Sequence, residues 1–84
     1  MEHLIDLTRI HNAKEFHQAL AQALDFPHWY GRNLDALYDC LTELETPVHL
    51  VLKNWDAAAD FSEGFEGVFN DAQTDNPDFT IQYV

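Results

Sequence analysis

Three short apolar runs punctuate the chain: His3-Leu4-Ile5-Asp6-Leu7, Pro47-Val48-His49-Leu50-Val51-Leu52 and Phe79-Thr80-Ile81-Gln82-Tyr83-Val84. Between them, apolar residues recur at helical period. Strands joined by helical crossovers pair in parallel, with right-handed connections. The order strand, two helices, strand, two helices, strand therefore predicts an α/β fold, a small three-stranded parallel sheet with about four helices packed on it. The middle run is apolar on both faces, as expected of a central strand covered on both sides. The last run alternates, so one of its faces is more polar.

The helical stretches carry their own start and stop signals. Asn12 is a good N-cap, with Glu15 at capping-box spacing. Phe16, Leu20, Ala23 and Leu24 then form one buried stripe. Pro27 ends any continuation, and Gly31 permits a sharp turn. Asn33 caps a second helix whose Leu34, Leu37, Leu41 and Leu44 face the core. Asn54 is placed to cap a short helix through Asp60. A longer helix over 62–74 follows, with the stripe Phe61, Phe65, Val68, Phe69 and Ala72. Gly64 and Gly67 weaken that helix by about 1 kcal/mol each relative to Ala. Asn76-Pro77 breaks it.

With 84 residues, 46% of them hydrophobic, the chain supports a single domain spanning 1–84. Its one Cys precludes an internal disulfide, so the core must carry the fold and a reducing cytoplasm is the expected location. Met1-Glu2-His3 is not basic and no long apolar run follows it, so no signal peptide is expected. The apolar runs are too short to span a membrane. Fifteen acidic residues against four basic ones give a formal net charge of −11. Arg9, Lys14, Arg32 and Lys53 are scattered and supply no patch for phosphate, which excludes nucleic acid and anionic membrane surfaces as partners. The field instead attracts a cationic protein, and self-repulsion favours a monomer.

No His-x-x-x-His or His/Cys cluster at ligand spacing occurs, and the acids lack the pattern of a calcium loop, so neither metal nor cofactor is expected. His17 and His49 read as structural neighbours of the core, and His28 as an exposed loop residue. Cys40 is flanked by acidic and apolar residues, which points to a buried, inert thiol.

The densest signal is Trp29-Tyr30-Gly31-Arg32-Asn33-Leu34-Asp35-Ala36-Leu37-Tyr38-Asp39-Cys40-Leu41. An aromatic, Gly-containing loop runs into a helix bearing Asp35 and Asp39 on one face, one turn apart. Such a pair repels by roughly 0.2–0.5 kcal/mol. Asp35 sits in the first turn, where the helix dipole favours an acid. Asp39 is mid-helix, where Asp is a poor helix former, and Glu43 extends the acidic stripe. One of Trp29 and Tyr30 is expected to pack inward and the other to reach a partner. A catalytic carboxylate pair needs a cleft that separates the two pKa values. An exposed helix face in so small a domain offers little room for one, so no enzymatic activity is expected.

The segment Phe26-Pro27-x-x-Tyr30-Gly31-x-Asn33-Leu34-Asp35-Ala36-Leu37-x-Asp39-x-Leu41 closely resembles the barstar family of intracellular ribonuclease inhibitors. The resemblance implies a small parallel sheet with packed helices. It also implies a function: occupation of a basic ribonuclease's active site by the second helix and the loop before it, with carboxylates taking the place of RNA phosphates. By position, Asp35 and Asp39 are then the principal phosphate mimics. Trp29 is the outward aromatic of the loop, Gly31 and Asn33 shape that loop, and Asp71 is a further acidic contact on the later helix. Tyr30, Tyr38 and Glu43 complete the expected partner-binding set. Arg32 stands where the family pattern has an acid, and Leu44 where it has an aromatic. The alternatives are an acidic protein-interaction module that inhibits no nuclease, and an immunity protein against a toxin that is not a ribonuclease.

Overall fold

The computed structural model describes residues 1–84. Strand β1 (Glu2–Asp6) leads through a 3-10 turn (Leu7–Arg9) to helix α1 (Ala13–Ala23) and helix α2 (Leu34–Thr42). Strand β2 (Val48–Lys53), a second 3-10 turn (Trp55–Ala58), helix α3 (Phe65–Asp75) and strand β3 (Phe79–Tyr83) follow. The sheet order is β1-β2-β3, and both pairings are parallel. No helix is long and apolar enough to cross a membrane.

There are three α-helices rather than about four. The segment after Asn54 is only a 3-10 turn, closed by Ala57 N–H to Asn54 O at 2.9 Å and Ala59 N–H to Asp56 O at 3.2 Å. Asn54 cannot serve as its cap. Its backbone is left-handed (φ 61°), and its side-chain amide donates to Asp6 Oδ1 at 3.1 Å instead. The last helix begins at Phe65, not Ser62, because Gly64 has φ 87°, outside any right-handed helix.

The register puts His3, Ile5, Leu50, Leu52, Phe79 and Ile81 on one sheet face. Ile5, Leu50, Leu52 and Phe79 join the single core cluster with Phe16, Leu20, Leu37, Leu41, Phe65 and Phe69. The other face presents Leu4, His49, Val51, Thr80 and Gln82 and carries no helix. The expectation of a central strand covered on both sides is therefore overturned: Leu4 is 62% exposed, and Val51 is shielded without belonging to the core cluster. His49 lies on this outer face, not beside the core. Its ring pairs with Thr80 Oγ1 (2.8 Å) and Gln82 Oε1 (3.2 Å) on β3. A polar ladder of this kind hydrates a parallel sheet face that is usually buried.

Two contacts set α2 against α3. Gly64 has a left-handed backbone, and a Cβ placed on it would lie 2.5 Å from Leu34 Cδ1, so a side chain here would be strained and would push the Leu34 tip aside where the start of α3 meets the start of α2. At the other end, Asn76 is 7% exposed, and its amide donates to Leu41 O (2.9 Å) and Leu44 O (3.1 Å). These are carbonyls at the C-terminal end of α2 that otherwise lack a partner.

The two helix-region glycines should thus respond oppositely to alanine. Gly64→Ala should destabilise by about 1–3 kcal/mol through the clash and the left-handed backbone. Gly67, with open space around it, should tolerate Ala with a gain of about 0.5–1 kcal/mol. Asn76→Ala should cost about 1–3 kcal/mol by orphaning buried carbonyls. Urea unfolding midpoints of the three variants test all of this.

Candidate functional site

The site is built from the loop over 24–33 and the exposed faces of α2 and α3. Helix α1 ends in a left-handed turn at Asp25 (φ 56°), where Phe26 N–H donates to Ala21 O at 2.9 Å. This is a Schellman closure with Asp where Gly is usual. Phe26 and Tyr30 then pack together at 5.0 Å between ring centroids, anchoring both ends of the loop in the core. Tyr30 N–H donates to Pro27 O at 2.9 Å and tightens the turn between them.

Tyr30 takes the inward place and Trp29 the outward one. Trp29 is 75% exposed, with the His28 ring edge-on to it at 5.4 Å. The Tyr30 hydroxyl shares a 2.6 Å hydrogen bond with Nδ1 of His17 on α1. His17 is 5% exposed. Burial, with a smaller contribution from the Arg32 charge, holds its pKa below the ordinary 6.5, and burial raises that of Tyr30. Both groups are therefore neutral near pH 7, and their hydrogen bond pins the loop to α1.

Asn33 starts α2. Its Oδ1 accepts from Ala36 N–H at 2.8 Å, and its Nδ2 donates to Gly31 O at 3.3 Å. A Cβ on Gly31 would lie 3.1 Å from that Nδ2, so glycine here protects the cap. Between these two residues, Arg32 adopts a left-handed backbone (φ 52°), a conformation that costs a non-glycine residue about 1 kcal/mol or more.

Asp35 and Asp39 of α2 and Asp71 of α3 are all exposed. With Leu34, Tyr38 and Val68 they line one open groove of about 510 Å³. Asp39 also borders a second depression, of about 310 Å³, together with Trp29, Gly31 and Glu43. Asp39 is therefore the ridge between an acidic groove and an aromatic-rimmed one. The protein's one side-chain contact of ion-pair type, His11 with Glu15, is an ion pair only when His11 is protonated, and it lies on α1 and its approach. The carboxylates of the groove have no cation of their own.

Sequence reasoning missed Asp75. The Tyr38 hydroxyl donates to its carboxylate across the α2–α3 contact. That bond first, then burial and the charges of Asp75, Asp71 and Asp39, raises the Tyr38 pKa. The clue was present, since Asp75 lies one helical turn beyond Asp71. Cys40 is half-buried rather than buried. Burial, then Glu43 and Asp39, pushes its thiol pKa up, consistent with an inert thiol.

The pH dependence follows from His17. Its pKa is depressed in the folded state, so below pH 6.5 the unfolded chain binds a proton that the folded one does not. Stability should fall as pH drops through and below 6.5, by at most about 1.4 kcal/mol per pH unit. His17→Gln should flatten the dependence between pH 7 and 5, read from thermal unfolding midpoints at each pH.

The sequence matches, over residues 1–84, the family described as Barstar (barnase inhibitor). It is also 46% identical over 69 residues to the Bacillus subtilis (strain 168) protein named "Putative ribonuclease inhibitor YrdF", an alignment that covers 81% of this chain and 71% of that protein.

Proposed function

The chain belongs to the barstar family, and from that premise we propose that it binds and blocks the active site of a basic, barnase-like ribonuclease and holds it inactive in the producing cell. One observation carries this reading: Asp35, Asp39 and Asp71 converge from two helices on one groove that contains no cation.

An RNA-cleaving site binds phosphates with Arg and Lys side chains. Carboxylates on a rigid helical surface accept the same charge-assisted hydrogen bonds, bidentate where the donor is Arg. Tyr38, held by Asp75, lines the groove together with Asp35 and Asp39. Trp29 supplies a large outward aromatic for the pocket beside the catalytic cations. The loop reaches the partner pre-shaped, because Phe26 and Tyr30 are anchored in the core, and little ordering entropy is then lost on binding. Net charge −11 steers a cationic enzyme towards this face and makes association faster at low salt. The protein's role is steric occlusion and charge mimicry, without catalysis.

Added protein should inhibit barnase in a fluorogenic RNA cleavage assay. Asp39→Ala should weaken inhibition by about 2–5 kcal/mol or more, the range for truncating one partner of a buried charge pair, of which barnase with barstar is itself a source case. Raising salt should slow association far more than dissociation. Inhibition that survives Asp39→Ala unchanged would rule out the role given to that residue.

A further inference from the structure

Three of the four cations lie away from the acidic groove: Arg9 in the first 3-10 turn, Lys14 at the start of α1 and Lys53 at the end of β2. Arg32 does not. It sits between Gly31 and Asn33, at the head of the helix that bears Asp35 and Asp39. Its backbone is left-handed, where Gly or Asn would be relaxed. Its side chain is exposed and makes no ion pair, in a chain with fifteen acids available. Neither local backbone preference nor an internal partner accounts for an arginine at this position.

Beside it, between the end of α1 and the loop, opens a cavity of about 390 Å³ whose polar lining is Gln18, Gln22, Asp25, His28 and Arg32. Arg32 and the two glutamine amides offer N–H donors, and Asp25 is the only carboxylate. The formal charge of this lining is zero, in contrast to the acidic groove. Pro27 and Tyr30 border both this cavity and the depression beneath Trp29. An enzyme seated on the acidic face would therefore extend its rim over the loop towards Arg32.

Resting on the acidic face being the target-binding surface, we infer that Arg32 is a specificity-determining residue: its guanidinium, with the polar cavity beside it, receives a carboxylate side chain at the rim of the target enzyme. A planar guanidinium takes a carboxylate through two parallel hydrogen bonds. It also repels an enzyme with a cation at that point, so the same residue both selects and rejects.

The sign of the effect makes the proposal testable. Elsewhere on the face, a new acid on the enzyme meets carboxylates and weakens binding. Opposite Arg32, a new acid strengthens it. Affinities are measured for barnase, and for barnase variants in which each lysine and arginine outside the catalytic centre is changed singly to Glu. The binding partners are the unaltered chain, Arg32→Gln, Lys53→Gln and Asp39→Ala. At one rim position, Glu should tighten binding about tenfold; that gain should vanish in Arg32→Gln and persist in Lys53→Gln. Asp39→Ala should weaken binding to every enzyme. Equal responses of the unaltered chain and Arg32→Gln at all positions would overturn the proposal, while a loss on Asp39→Ala would leave the acidic-face reading standing. An unaltered chain that binds none of these enzymes, or an Asp39→Ala variant that binds as well, would overturn both.

Discussion

One buried amide joins the parts of this protein on which the rest depends. Asn76 closes α3, and its side chain reaches back to two carbonyls at the far end of α2. Its own oxygen accepts from Asp78 N–H at 3.0 Å, which turns the chain into β3. The acidic helix, its neighbour and the last strand therefore meet at one residue. A buried amide satisfied on both its nitrogen and its oxygen specifies a single geometry, because any slippage leaves polar groups without partners. Gly64 marks the opposite end of the same helix pair, with a left-handed backbone that suits glycine and Leu34 packed against it. Between these two fixtures, Asp35, Asp39, Asp71 and Asp75 are held on facing surfaces of two helices.

That rigidity explains how an unfavourable charge arrangement persists. Like charges one helical turn apart cost tenths of a kcal/mol each, and exposure to water keeps the cost small. Packing beneath the helices outweighs it: Leu37, Leu41, Phe65 and Phe69 are almost fully buried below the carboxylates. The aromatic core continues from Phe16 to Phe65 at 4.6 Å and from Phe69 to Phe79 at 6.3 Å, so the helical layer is tied directly to the sheet. The loop is secured by different means, through the His17–Tyr30 hydrogen bond. The helix pair and the loop thus differ in their sensitivity to acid, although Asp39 borders both the acidic groove and the depression lined by the loop.

Much of this was legible in the sequence, and the reasons are physical. The parallel α/β topology followed from periodicity and crossover length. Both Asn caps followed from residue type and spacing, and the structure shows Asn12 Oδ1 accepting from Glu15 N–H at 2.8 Å. Glu15 departs from the expected reciprocal bond: its carboxylate accepts from His11 N–H rather than from Asn12. Groups whose partners are distant in sequence were not legible. Asn76 read only as half of an Asn-Pro break, and Asp75 as one more surface acid, because their partners are Leu41, Leu44 and Tyr38, more than thirty residues away. Asn54 looked like a cap, but its amide is engaged by Asp6 across the sheet ends. Asp6 is in turn held at a pKa of about 2 by that bond and by Thr8. The open outer sheet face was hidden for a different reason: Val51 is apolar and buried, yet it lies outside the core cluster.

With every helix on one side of the sheet, the protein has two surfaces with separate histories open to them. Substitutions at Leu4, His49, Thr80 or Gln82 alter one surface, and substitutions on α2, α3 and the loop alter the other, with the sheet and its core between them. Sites this far apart usually contribute additively. A lineage can therefore reshape the charge pattern of its helical face while adjusting solubility through the strands. Such separation lets a domain of this size change its partner without first rebuilding its fold.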